Sequence, residues 1–258
     1  SWLLEVFGEH TLAPMTALAI LGVSLGLLVA YAVHASNAQF PLLRLGLFRI
    51  RTFRIAVLGG FVTRMGFGCL PFLLPLLYQV GMGLPAWESG LLMMPSAIAA
   101  MGMKLFSQRL LKRFGYRQIL IVNTVFIGLT IATFSQVDSG TPLAAIAALG
   151  LMQGFFASMQ FSSMNSLAYA DVDAKDSSMA STMSSSFQQL SMSFGLAAGS
   201  LVAGWYLGNV VQTDRALVTN ALHHAFLTLG LITAASSLLF WRLKHNDGES
   251  ISRGVVAE

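Results

Sequence analysis

Along most of this chain, apolar runs of about 18 residues or more follow one another with few fixed charges inside them, and a run of that length is what a bilayer-spanning helix needs. Of 258 residues, 55% are hydrophobic and only 10% are charged. A water-soluble domain carries roughly a quarter charged residues, so too little polar surface is available to coat a soluble globule. The runs fall at 12–34, 54–79, 87–107, 118–137, 142–168, 177–207 and 221–242. The expected fold is therefore an all-α integral membrane protein with about seven transmembrane helices. Several runs contain Gly or Pro, which membrane helices tolerate because neighbouring helices satisfy the freed backbone groups.

Charge sets the expected orientation. Of the 15 Lys and Arg residues, all but Arg64 and Arg215 lie in loops or span ends on one side. By the positive-inside rule that side is cytoplasmic. The N-terminus of the segment is then outside and the C-terminus inside. The net charge of +4 follows from this anchoring and does not point to nucleic acid. Trp2, Trp87, Trp205 and Trp241, with Tyr31, Tyr78 and Tyr206, fall at or near the predicted ends, where amphipathic rings prefer the headgroup zone. The first run follows no basic stretch and does not read as a signal peptide. Starting at Ser1-Trp2, the chain reads as a piece of something longer.

A linker over 36–53 separates the first span (within 1–35) from the other six (54–243), and a tail follows at 244–258. The six divide into three plus three, a count that fits transporter repeats, although no clear sequence repeat is visible.

Arg64 is the most informative residue. Arg54 marks the start of its span, and ten residues at about 1.5 Å each place Arg64 about 15 Å deeper, near the midplane. A guanidinium left in lipid there costs about 3 kcal/mol or more, so it must face protein or a wet cavity. Two roles fit: an anion or dipole contact on a transport path, or a structural arginine bonded to carbonyls. Pro71 and Pro75 follow in the same run, and each removes a backbone donor and crowds the preceding turn. The helix is expected to bend beyond Arg64, either as a pointer to a binding site or as an ordinary kink.

Other polar residues recur on shared faces. Ser177, Ser181, Ser184, Gln188 and Ser191 form one stripe on the sixth span, with Gln189 beside it. Such a stripe serves either as interhelical glue or as cavity lining. Further along, Gly195, Gly199 and Ala203 repeat every fourth residue and mark a close-packing face. On the fifth span, Gln153 and Gln160 share a face that reads as cavity lining, and Asn165 lies nearer the cytoplasmic end. Met152, Met159 and Met164 nearby read as core filling. Cys69, the single cysteine, excludes an internal disulfide or a cysteine-built metal site and reads as a small packing residue.

None of the 11 acidic residues falls mid-span, and His34, His223 and His224 are near span ends. A proton carrier, if one is used, must lie elsewhere in the full protein. No paired membrane aspartates, zinc-binding histidine pair, phosphate loop or serine elbow is present. No enzyme activity, metal or cofactor is expected.

These features together resemble a known family. The stretches are Pro41-Leu42-Leu43-Arg44-Leu45-Gly46-Leu47-Phe48-Arg49 with Arg51-Thr52-Phe53, Arg64-Met65-Gly66 through Leu70-Pro71-Phe72, Phe114-Gly115-Tyr116-Arg117, Phe161-Ser162-Ser163-Met164-Asn165, and Gln188-Gln189-Leu190-Ser191-Met192-Ser193-Phe194-Gly195. They cover about 41–200 and resemble the C-terminal half of a major facilitator superfamily transporter, within it the fourteen-span drug:proton antiporter family of multidrug exporters. The resemblance implies one extra helix followed by a six-helix C-terminal bundle, in an inner (cytoplasmic) membrane. It implies that 54–79 and 142–168 line a central cavity, placing Arg64, Gln153 and Gln160 towards a small-molecule substrate. It further implies alternating access against an N-terminal half as partner, alongside the lipid bilayer. Lys112, Arg113, Gly115 and Arg117 resemble the family's gating loop, but Lys112 stands where the first-half copy carries an aspartate. Membrane anchoring is the safer role for these cations.

Two other classes compete. Seven spans with an outside N-terminus also describe a seven-helix receptor or photoreceptor, but the last span has no mid-helix lysine for retinal, Lys244 being at its edge. A non-transporting membrane scaffold is the third reading, and a midplane arginine argues against it.

Overall fold

The computed structural model describes residues 45–208, 215–244 and 247–248. The expected first span at 12–34 lies outside the described residues. Within them the elements are helical: α1 Arg51–Phe67, α2 Leu70–Leu76, α3 Ala86–Thr133, α4 Leu143–Ala168, α5 Ser177–Leu207 and α6 Arg215–Ala235, with short 3-10 turns and one π-helical stretch, Leu77–Gly81. Among the described residues, five helices are long and apolar enough to cross a membrane: Arg51–Gly81, Ala86–Gln136, Leu143–Ala168, Ala174–Leu207 and Arg215–Arg242.

The sequence pattern predicts separate spans at 87–107 and 118–137, whereas α3 runs for 48 residues. At about 1.5 Å per residue that is far longer than a hydrocarbon core of about 30 Å. The difference resolves at Gly115, whose φ of 73° and ψ of 163° are non-helical. Packing shows that the chain reverses there. Gly150 sits against Leu92, Gly154 against Ser96, and Ser158 donates to the Ala100 carbonyl, so 86–114 runs parallel to α4. In contrast, Thr130 donates to Gln153 and Asn123 to Gln160, so 116–133 runs antiparallel to α4. The two arms of α3 are therefore two passes. This backbone region is open essentially to glycine alone.

The remaining contacts fix an alternating bundle. α1 is antiparallel to α6 through Gly66–Thr233 and Gly59–Phe240, and parallel to α5 through Gly195–Arg64 and Gly199–Cys69. α4 is antiparallel to α1, since Arg64 meets Phe161 and Thr52 meets Asp171. Successive passes thus reverse direction, and most of the described Lys and Arg residues gather at one end; Arg215 lies at the other, and Arg64 and Lys104 lie partway along their helices, Lys104 one turn beyond Ala100, which faces Ser158.

The close-packing face on α5 is present as read: Gly195, Gly199 and Ala203 are all buried. A methyl group on Gly199 would collide with Cys69, and one on Gly195 would lie 3.1 Å from the Arg64 carbonyl oxygen. In lipid, where helices gain no hydrophobic advantage by associating, such backbone approach supplies the dispersion contact. The core gathers Leu73, Leu77, Ile127, Ile131, Phe134, Leu222 and Phe226, all completely buried. The outer surface is apolar too. Leu91, Met94, Ile98, Met101 and Leu105 form an exposed stripe on the first arm of α3, up to 77% exposed at Leu105. A soluble monomer rarely carries such a surface.

One expectation needs correcting. Trp87, Trp205 and Trp241 are exposed at helix ends, but Tyr78, read as an interfacial ring, is only 1% exposed. It packs in the core among Leu74, Leu77 and Leu222, because the helix carrying it is interrupted and turns that face inward. Beyond Arg64 the helix is interrupted just before Pro71. α1 ends at Phe67, Gly68 and Cys69 form a turn, and α2 begins with Pro71 near its N-terminus. A proline clashes with the carbonyl one turn before it, so Pro71 breaks the ladder at Phe67. Pro75 lies inside α2 and is followed by the π-helical turn.

Candidate functional site

α1 and α4 bring Arg64, Gln153 and the helix interruption into the interior. Arg64 is 4% exposed, so the expectation that its charge leaves the lipid holds at the level of burial. Its guanidinium carbon lies 5.4 Å from the centre of the Phe161 ring, a cation–π distance. Its Nη1 lies against Gly60, with the Met164 sulfur close by. Its Nε is buried with no hydrogen-bond partner. The carbonyl-bonded structural role is not seen at that atom. A buried donor left unpaired costs about 1–3 kcal/mol, so each such atom needs an explanation.

Gln153 and Gln160, two turns apart, are treated differently. The Gln160 amide donates to Thr124 Oγ1 at 2.6 Å and its carbonyl oxygen accepts from Asn123 Nδ2 at 2.9 Å. Asn123 also donates to the Phe156 carbonyl at 2.7 Å. Completely buried, Gln160 is a tie between α4 and the second arm of α3. Its expected cavity-lining position is therefore replaced by a closed hydrogen-bond network. Gln153 accepts from Thr130 through its carbonyl oxygen, but its Nε2 is buried and unpartnered.

Gln153 lines a cavity of about 260 Å³ between the interrupted helix, the first arm of α3 and α4. Phe67, Leu70, Pro71 and Tyr78 supply one wall, Ser96 and Ala100 another, and Gly154 and Ser158 the third. The Ser96 and Ser158 hydroxyls are already spent on the carbonyls of Met93 and Ala100. The lining is thus largely apolar and aromatic, with the Gln153 side chain as its remaining polar group. That composition suits an amphipathic molecule with a single acceptor. Gly154 is essential to its shape, since a side chain there would strike the Ser96 backbone.

The other candidates scatter. Asn165 and Gln188 are half-buried and Gln189 is exposed. Along the α5 stripe, Ser184 and Ser191 are buried, whereas Ser177 and Ser181 face out. Lys112, Arg113, Gly115 and Arg117 surround the α3 reversal, with Lys112 and Arg113 exposed. Arg113 lies 5.5 Å from the ring of its neighbour Phe114. The turn is anchored by Tyr116, 1% exposed, whose hydroxyl meets Ser166 Oγ at 2.7 Å. Phe161 and Tyr116 fell within the stretches that carry the resemblance but had no role of their own, and Asn123 and Thr124 were missed. The adjacent polar pair Asn123-Thr124 within a predicted span was the signal available for them.

The sequence model described as Major Facilitator Superfamily matches residues 1–195. The chain is 31% identical over 241 residues to the protein named "Putative multidrug resistance protein MdtD" of Escherichia coli (strain K12), covering 93% of this chain and 51% of that relative. The proteins of the same name from Escherichia coli (strain SE11) and Shigella boydii serotype 4 (strain Sb227) match with the same identity and coverage. The chain therefore spans about half the length of the curated relatives it matches.

Proposed function

This chain belongs to the Major Facilitator Superfamily, and on that premise we propose that it forms one half of a secondary active transporter that exports amphipathic, drug-like small molecules. In this reading 54–243 is the six-helix C-terminal bundle, 1–35 an extra membrane helix, 36–53 a linker and 244–258 a tail. The arginine-rich end faces the cytoplasm of a bacterial inner membrane. Transport proceeds by alternating access against an N-terminal half, coupled to protons by an acid that the described helices do not carry mid-membrane.

The observation that carries this reading is a pair of buried, unsatisfied donors, Arg64 Nε on α1 and Gln153 Nε2 on α4, beside an interrupted helix. A protein that merely packed would pair or remove them. A transporter keeps donors in its interior to meet acceptors on a passing ligand, and interrupted membrane helices mark such sites. The name of the relatives, multidrug resistance protein, agrees with the apolar and aromatic wall around Gln153.

The test is Arg64→Ala in the full-length protein. We expect dye efflux from cells to be lost while membrane expression and detergent melting temperature stay near wild type. Efflux at the wild-type rate removes Arg64 from the transport path.

A further inference from the structure

Three arginines converge on a small groove at the charged end of the bundle. Arg51, Arg54 and Arg242 line it together with Ile55, Leu58, Gly59 and Leu239, enclosing about 180 Å³. Arg51 is bonded to Asp247, which also accepts from the Lys244 backbone N–H at 2.8 Å. The Arg51 Nε is nevertheless buried and unpartnered. Arg54 and Arg242 are exposed, and among the described residues neither forms an ion pair. Asp247 offsets one of the three charges, so the groove keeps an excess of about two positive charges. Below the arginines the lining turns apolar, with Leu58 45% exposed on the outer face, and Trp241 beside Arg242 is 61% exposed, as a ring at headgroup depth is.

We propose that this groove binds the headgroup of an anionic phospholipid from the leaflet at the arginine-rich end. Guanidinium groups present paired donors that match phosphate oxygens, and basic pockets between membrane helices suit anionic headgroups. The phosphate sits among Arg51, Arg54 and Arg242, and an acyl chain runs along Ile55, Leu58 and Leu239. A free phosphate would use only the upper half of the groove. The proposal rests on the membrane placement given above but not on transport, so it stands or falls separately from the Arg64 test.

The test is native mass spectrometry of the full-length protein in detergent. It is titrated with phosphatidylglycerol, with phosphatidylcholine of the same acyl chains, and with inorganic phosphate. Selective retention of phosphatidylglycerol is expected. The double variant Arg54→Gln/Arg242→Gln should weaken it about thirtyfold, taking the usual contribution of each basic residue near an anionic surface. The pair Arg54→Lys/Arg242→Lys should retain most of it. Equal retention of both lipids, unchanged binding in the Gln double variant, or inorganic phosphate binding as tightly as lipid each overturns the proposal. Should the Gln variant fail to fold, the wild type decides alone. Its selectivity must fall as salt is raised, and salt-independent retention counts against the site.

Discussion

Gln153 and Gln160 are the same residue type on one face of one helix, yet Gln160 is fully paired and Gln153 only in part. That they share a face was legible from their spacing of seven. Which of them finds partners was not, because it depends on Asn123, Thr124 and Thr130, residues on another pass whose register the spacing within α4 does not specify. The difference is measurable. Gln160→Leu removes two satisfied interhelical bonds and should lower unfolding free energy in detergent by about 0.6–1.7 kcal/mol. Gln153→Leu removes one such bond, from Thr130, together with an amide donor that has no partner, and should cost less, while weakening binding of a transported dye. Equal destabilisation by the two substitutions would contradict the free amide. Arg64 was legible for a simpler reason: charge and depth alone dictate burial, and among the described residues it meets the Phe161 ring.

At the scale of elements, apolar run length placed the membrane passes well, because bilayer thickness imposes it. Boundaries and interruptions were less legible. Pro71 and Pro75 announced a bend, but the break falls at Gly68–Cys69 and the second disturbance takes π form at Leu77–Gly81. The reversal inside α3 rests on one residue. At the φ and ψ of Gly115 a Cβ is strained even though open space surrounds it. Gly115→Ala should therefore cost about 1–3 kcal/mol from backbone conformation alone, read as a lowered melting temperature. A melting temperature equal to wild type would show that the turn adopts another conformation. The basic residues flanking it were visible as an anchoring cluster, whereas the buried Tyr116–Ser166 contact was not, since neither residue stands out by charge.

For the whole molecule, alternating direction could be read from the distribution of Lys and Arg, and helix-to-helix contacts in the structure give the same alternation. Neighbour choice could not be read, because small residues that permit close approach occur on most of the passes. The backbone-to-backbone contacts at Gly128–Gly230 and Gly154–Ser96 have a mechanical consequence. Helices seated that deeply behave as a stiff block: sliding one past another would require separating surfaces that have no slack. Motion must then be either displacement of the block as a unit or flexure at a joint where the hydrogen-bond ladder is already open, at 68–69 and 77–81. Spin-label pairs in the full-length protein distinguish these regions. Labels at Val122 and Leu231, within the block, should hold one distance when a transported dye is added, while labels at Leu58 and Trp87, spanning the joint, should shift. The reverse result would make the packed block, not the interrupted helix, the compliant part of the machine.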